Sequence, residues 1–242
     1  MENEFIKIYK KLPGGIQSFI KKFKESFFKV YLLVFTTLGK VFLNPVNRLK
    51  NRNKKKRFLE IGPGSERIEG FETLNIVGGL NVDYVYDASK GLPFKDNTFD
   101  LIYASHILEH IPWYHTENVL KEWVRVLKTN GVLEIWVPNG YKICKGVILA
   151  EESNENISDN DGWYRYNPNK SPYKWANGRI FTYGDGSGNI NHPNWHRALF
   201  TPKYLRLLMK KVGLKDVEKM VNNEVRGYDH GWISLGFKGT KK

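Results

Sequence analysis

Candidate catalytic side chains crowd one short stretch of this 242-residue chain, where His106, Glu109 and His110 fall together. A further imidazole, His196, stands just before a leucine-rich helical pattern. Imidazole titrates near neutrality, so His106, His110 and His196 are candidate general bases toward a hydroxyl. His106-x-x-Glu109-His110 also spells a zinc-protease pattern, and its side chains are ligand types for zinc and related metals. Pro112 interrupts the long helix that such a protease needs, which disfavours a protease; the site is expected to hold no metal, with a divalent ion on these side chains as the alternative. Upstream, a hydrophobic run ends in Glu60-Ile61-Gly62-Pro63-Gly64. Two glycines at a strand end let backbone approach a ligand that a Cβ would obstruct. Arg67 occupies the position where a dinucleotide fingerprint requires glycine, which disfavours a nicotinamide site.

The elements that must position these residues alternate in type. Arg57 to Ile61, Glu72 to Val77, Val82 to Asp87, Phe99 to Ser105 and Val132 to Val137 have strand character, joined by loops or helices. The clearest helix is Thr116 to Leu127, with Val119, Leu120, Trp123, Val126 and Leu127 on one side and Asn130-Gly131 as its stop. Another starts at Thr201-Pro202 and ends before Gly213. Two last strands, near Val217 to Asn222 and Trp232 to Phe237, are expected to pair as an antiparallel edge. The pattern predicts an α/β fold with a mostly parallel sheet, placing the glycine turn and His106 at the carboxyl edge where open sheets bind ligands.

The pieces occur in a telling order: the glycine turn, Asp87, Gly91-Leu92-Pro93-Phe94, Asp96-Asn97-Thr98-Phe99-Asp100, Ser105 to His110, then Arg125 to Gly131 before a strand. Together they resemble the class I S-adenosylmethionine-dependent methyltransferases. The nearest branch is that of small bacterial predicted methyltransferases often encoded among cell-surface polysaccharide genes. The resemblance covers Phe58 to Asn139 and recurs from Asn191 to Gly213. It implies a Rossmann-like class I methyltransferase fold and S-adenosylmethionine as cofactor. Glu60, Gly62 and Gly64 would then face the methionine end, Asp87 and the Ala88 N–H the adenine, and Ser105 the cofactor at the fourth strand's end. Family members end the second strand in Asn-x-Asp, whose acid holds the ribose. Here Val77 takes the place of the acid, so either Asn75 or a residue of the Gly78-Gly79 loop substitutes, or the cofactor is bound weakly.

Charge is unevenly placed. Of the +13 total, residues 1–57 carry +12, from 15 basic and 3 acidic residues, so the remainder is nearly neutral. Between Pro13-Gly14-Gly15 and Asn44-Pro45, read as two chain breaks, Ile16, Phe19, Ile20, Phe23, Phe27, Tyr31, Val34, Leu38 and Phe42 recur at helical spacing. They predict one long amphipathic helix, followed by a basic linker from Arg48 to Arg57. Its apolar middle is shorter than the roughly 20 residues of a bilayer span, and no signal peptide is evident. A helix lying in an anionic membrane interface through residues 16–57 is the expected partner contact, the alternative being a helix that folds back on the domain or dimerises. A single cysteine excludes a disulfide framework and fits a reducing cytoplasm.

The expected organisation is a basic helix and linker over residues 1–57 and a methyltransferase domain over 58–242, interrupted by an aromatic-rich insertion at about 141–195. Trp163, Tyr164, Tyr166, Tyr173, Trp175, Phe181, Tyr183 and Trp195 in that stretch are expected to recognise the acceptor, the alternative being an insertion that packs a small second core. The resulting reading is O-methylation of a glycan or glycan-lipid precursor at the cytoplasmic face of the membrane. Its alternatives are a non-catalytic scaffold of the same fold, motivated by Val77, and an RNA methyltransferase, motivated by the basic arm. The neutral body argues against nucleic acid.

Overall fold

Largely buried segments, as parallel strands covered on both faces require, form β1 (Phe58–Ile61), β2 (Phe71–Asn75), β3 (Tyr84–Val85), β4 (Phe99–Ser105) and β5 (Leu127–Pro138). The computed structural model describes residues 13–17, 30 and 33–242. With β6 (Leu214–Met220) and β7 (Ser234–Lys241), these strands make one sheet in the order β3-β2-β1-β4-β5-β7-β6. β1 pairs in parallel with both β2 and β4, whereas β7 runs antiparallel to β5 and β6. This is the class I arrangement that the resemblance implied, with its antiparallel C-terminal edge.

Alternation along β1 sorts its side chains. Leu59 and Ile61 enter the larger core with Ile102, Trp123, Leu205 and Met209, while Phe58 packs on the other face near Phe71, Leu101, Tyr103 and Trp136. α1 (Asn44–Asn51), α2 (Thr116–Val126), α3 (Gly140–Ser153), α4 (Pro172–Phe181) and α5 (Pro202–Lys211) are the α-helices with defined bounds. α2 buries Val119, Leu120, Trp123, Val124 and Val126. Thr201 caps α5 by accepting from the Tyr204 N–H at 3.3 Å. Only turns connect β1 to β2.

Asn130-Gly131 does not stop α2. The helix ends at Val126 and β5 begins at once, so these two residues lie inside the strand, where the pairing with β4 shifts register. Asn130 takes φ +62°, and a Cβ at Gly131 would stand 2.8 Å from the Lys128 carbonyl oxygen.

Nor does Asn44-Pro45 break the N-terminal helix. Residues 33–38 are helical, Gly39–Leu43 form a π-helical turn, and α1 follows with helical dihedrals at Leu43 and Asn44. The wider turn lets the Asn44 N–H reach back to the Gly39 carbonyl, and Pro45 falls in the first turn of α1, where its missing N–H is tolerated. Asn44 then acts as a substitute strand: its Nδ2 donates to the Val85 carbonyl at 3.1 Å and its Oδ1 accepts from the Val85 N–H at 2.8 Å. Asn47 Nδ2 donates to the Asp83 carbonyl at 2.9 Å, and Asn51 Nδ2 to the Tyr84 hydroxyl at 3.0 Å. Buried amides thus satisfy the open edge of β3. Arg57 is likewise no free linker cation, since its guanidinium grips the buried Glu72 carboxylate through two 2.8 Å bonds. The upstream apolar positions Phe19, Ile20, Phe23, Phe27 and Tyr31 lie outside the described residues.

The insertion folds around its own core. Ile143, Trp175, Ala176 and Ile233 are buried together, with Trp163, Ile180 and Trp232 against them. The Trp175 indole N–H donates to Asp161 Oδ2 at 2.7 Å, and Asp161 also holds Arg179 in a paired 2.7 and 2.8 Å contact. Trp175 is therefore a packing residue, not the acceptor-binding aromatic expected from the sequence.

Candidate active site

The chain changes direction across β1, running out to β2 and β3 on one side and to β4 and β5 on the other, so a cleft opens at the strands' carboxyl ends. Its volume is about 550 Å³, and Gly62, Asn75, Val77, Asp87, Ala88, His106 and His110 line it. Most residues singled out in the sequence are thereby brought together. Glu60, Gly64, Ser105 and His196 are not part of that lining.

Gly62 has a physical requirement for its residue type. It takes φ +74°, and a Cβ there would meet Ile107 Cδ1 at 2.0 Å. Its N–H donates to the Leu74 carbonyl at 2.8 Å, tying the turn to β2. Gly64 is different: a Cβ would meet nothing within 4 Å, and its carbonyl accepts from Asn81 Nδ2 at 2.6 Å. Glu60 is buried and accepts from the Ile68 N–H at 3.5 Å. Burial pushes its carboxyl up, with that bond and nearby Arg67 opposing.

Asp87 Oδ1 accepts from the N–H and hydroxyl of Ser89, at 3.0 and 2.6 Å, closing a tight turn. The Ala88 carbonyl is held from beneath by the Trp123 indole N–H at 3.0 Å. Glu122 accepts from the Leu92 N–H, and Arg125 donates to the Leu92 and Phe94 carbonyls, so α2 braces the whole Asp87 to Phe94 segment. On β2, Asn75 Oδ1 accepts from the Ile76 N–H at 2.8 Å, leaving the side-chain NH2 as a donor. Val77 offers no polar group at its place in the cleft.

At the end of β4, His106 takes φ +53° and its N–H donates to the Trp136 carbonyl at 2.8 Å. Its Nδ1 lies 3.2 Å from Glu109 Oε1 and its Nε2 3.4 Å from the Ser234 hydroxyl. Its ring stacks on His230 with centroids 3.7 Å apart. His110 and His196 meet edge to face at 4.9 Å. Glu109, 1% exposed, stands among them. Burial pushes its carboxyl up, but His106, His110 and His196 outweigh that and hold it at about 2. Burial draws His196 down to about 4 against the pull of Glu109, and burial with the neighbouring His106 does the same to His230.

His230 and Ser234 were not singled out in the sequence. They reach the site because β7 inserts beside β5, pairing Ser234 with Pro138, a register that no local pattern announces. Asn191, His192, Asn194 and Arg197 form a further polar wall of the cleft. Most of the insertion's aromatics lie elsewhere: Trp163, Tyr166, Phe181 and Tyr183 line a separate cavity of about 350 Å³.

Residues 50–135 match the family described as a methyltransferase domain. An uncharacterized protein of Methanocaldococcus jannaschii is 41% identical over 60 residues, 25% of either chain. A demethylmenaquinone methyltransferase of Bacillus pumilus is 29% identical over 118 residues, 49% of this chain and 41% of that one. The chain thus spans less than half the length of either curated relative. A solved Thermotoga maritima structure, described as a methyltransferase and possible histamine N-methyltransferase, overlaps 90% of this chain and 98% of its own, at 19% identity and a TM-score of 0.41. The segment from β1 into β5 thus matches a methyltransferase domain.

Proposed function

We propose that the protein transfers a methyl group from S-adenosylmethionine to an oxygen of a glycan or glycan-lipid precursor. The observation that carries the methyl-transfer reading is the convergence of Gly62, Asn75, Asp87 and Ala88 on one cleft within the matched methyltransferase domain. The residues suit the cofactor. Gly62 puts side-chain-free backbone at the cleft wall, the Asp87 carboxylate can accept from an exocyclic amine, and the cleft is of small-molecule size. When bound, the cofactor supplies an electrophilic methyl carbon on a sulfonium.

The chain's task is to hold the acceptor in line and to take its proton. His106 lines the cleft with its Nδ1 3.2 Å from Glu109 Oε1 and its Nε2 3.4 Å from the Ser234 hydroxyl, and it is the base proposed to take the acceptor's proton. The polar wall of Asn191, His192, Asn194 and Arg197 supports a polyhydroxylated acceptor. Val77 favours the scaffold alternative, in which the fold is kept without turnover.

Titration calorimetry with S-adenosylhomocysteine is expected to show binding. Asp87→Asn keeps an oxygen for the Ser89 turn but removes the charge, and is expected to weaken binding by about 1.5 to 3 kcal/mol while leaving the fold stable. Absence of binding to the wild-type chain at millimolar ligand would support the scaffold. Incubation with cofactor and a panel of nucleotide sugars, with mass detection of transferred methyl, tests the acceptor class.

The membrane contact is part of the same proposal. No described helix is long and apolar enough to cross a bilayer. The helix that docks on β3 through its asparagines nevertheless leaves Val41, Phe42, Val46 and Leu49 more than half exposed, beside Lys40, Arg48 and Lys50. Each basic residue near an anionic leaflet contributes about 1 kcal/mol, and buried apolar side chains add to it. Co-sedimentation with anionic vesicles is expected to fall as salt rises and to be largely lost in Phe42→Gln/Leu49→Gln. Equal sedimentation by that variant would count against this face as the membrane contact.

A further inference from the structure

We propose that Glu109, His110 and His196 form a binding site for one divalent metal ion of the nitrogen- and oxygen-ligated kind, with zinc as the reference ion. One ligand atom from each of the three lies within 4.8 Å of the other two. An ion with bonds of about 2.0 to 2.2 Å would draw them in from that spacing. The sequence shows metal-ligand types at His106-x-x-Glu109-His110, but His196 is 86 positions from His110 and enters the cluster only through folding.

Glu109 supplies the strongest argument. Its side chain is 1% exposed and neither carboxylate oxygen makes a hydrogen bond. A buried anion without hydrogen bonds is costly, and a cation held between its neighbours is the direct remedy. Two imidazole nitrogens stand near Oε1, His106 Nδ1 at 3.2 Å and His196 Nε2 at 4.0 Å.

The two imidazoles are set up as ligands. His110 Nδ1 lies 3.3 Å from the Trp195 carbonyl oxygen, and His196 Nδ1 lies 3.0 Å from that of Arg179. A carbonyl only accepts, so each Nδ1 carries the proton and each Nε2 presents a lone pair. A backbone carbonyl on the far nitrogen is the support that orients a metal-binding histidine. The backbone braces the cluster as well, since the Glu109 carbonyl accepts from the N–H groups of Arg197 and Ala198 at 2.7 and 3.1 Å. That contact fixes the segment bearing His196 against the turn bearing Glu109 and His110.

Two histidines and one carboxylate leave a tetrahedral ion one position short, the pattern of sites that bind a further oxygen ligand. His110 also lines the cleft, so a hydroxyl or carboxylate of a molecule in the cleft is the class of ligand that position would take. His110 and His196 then act as metal ligands and not as the bases the sequence suggested. The metal site stands independently of the methyl-transfer reading, because its test needs neither cofactor nor acceptor.

The test uses the full untagged chain after chelator treatment and dialysis. Calorimetric titration with Zn2+ alone is expected to give one ion per chain and a raised thermal midpoint, and Co2+ is expected to develop the visible absorption of a four-coordinate nitrogen and oxygen site. Glu109→Gln and His196→Ala should each weaken Zn2+ binding by about 100-fold or more, whereas the exposed His115→Ala should leave it unchanged. The wild-type Co2+ spectrum decides independently of any variant that fails to fold. No stoichiometric Zn2+ binding at 100-micromolar order, or binding that survives both ligand substitutions in folded protein, overturns the proposal.

Discussion

Trp175→Ala should cost the fold about 3 to 5 kcal/mol, the range for deleting a fully buried tryptophan. The ring is wholly excluded from solvent, in a cluster with Ile143, Ala176 and Ile233, and Gly146 is glycine where a Cβ would press on the ring at 2.8 Å. Truncation also strips a donor from Asp161, which is 1% exposed and must then rely on Arg179 alone. The Arg179 carbonyl in turn holds His196, so the loss should spread toward the active site. Trp175→Phe keeps most of the packing and removes only the N–H, for an expected loss of about 1.5 to 3 kcal/mol. Chemical denaturation of both variants measures these values. A Trp175→Ala chain as stable as wild type, weakened only toward its acceptor, would restore the ring to a substrate-contacting role.

Gly62→Ala is expected to cost about 2 to 4 kcal/mol, combining a side chain forced into left-handed backbone with a displaced neighbour. The backbone sits at φ +74°, and Ile107 Cδ1 and Cγ1 occupy the space at 2.0 and 2.4 Å from the new Cβ. Ile107 lines the same cleft, so the displacement should also reduce cofactor affinity. Gly64→Ala provides the contrast. No atom lies within 4 Å of its Cβ and its φ is not positive, so stability should change by less than about 0.5 kcal/mol. Reduced S-adenosylhomocysteine affinity in that variant would then report contact with the ligand. Thermal unfolding without ligand, followed by calorimetry with it, separates the two effects. A Gly62→Ala chain of wild-type stability would contradict the steric account.

The strand identities, the antiparallel C-terminal edge and the presence of α2 and α5 were legible because each rests on local periodicity and nearby caps. The positions of Gly62, Asp87 and His106 at strand ends follow from the same pattern, since a parallel α/β sheet collects its carboxyl ends on one edge. Asn44-Pro45 misled because its local signal is a turn. What overrides it is a sheet edge some 40 residues away that needs the asparagine amide, together with a π-helical turn that makes room for the proline. Asn130-Gly131 misled in the same way, the pair being used within β5.

The amino-acid sequence by itself determined the sheet, the glycine turn and the candidate bases, because those depend on neighbours within a turn or two of chain. Only the tertiary structure decided what the candidates do. Burial converts Trp175 from a ligand-binding aromatic to a core residue, and the insertion of β7 delivers His230 and Ser234 to His106. The loop before α5 carries His196 to Glu109 and His110. Desolvation and the orientation of lone pairs arise from groups distant in sequence, and for that reason no reading of spacing alone could place them.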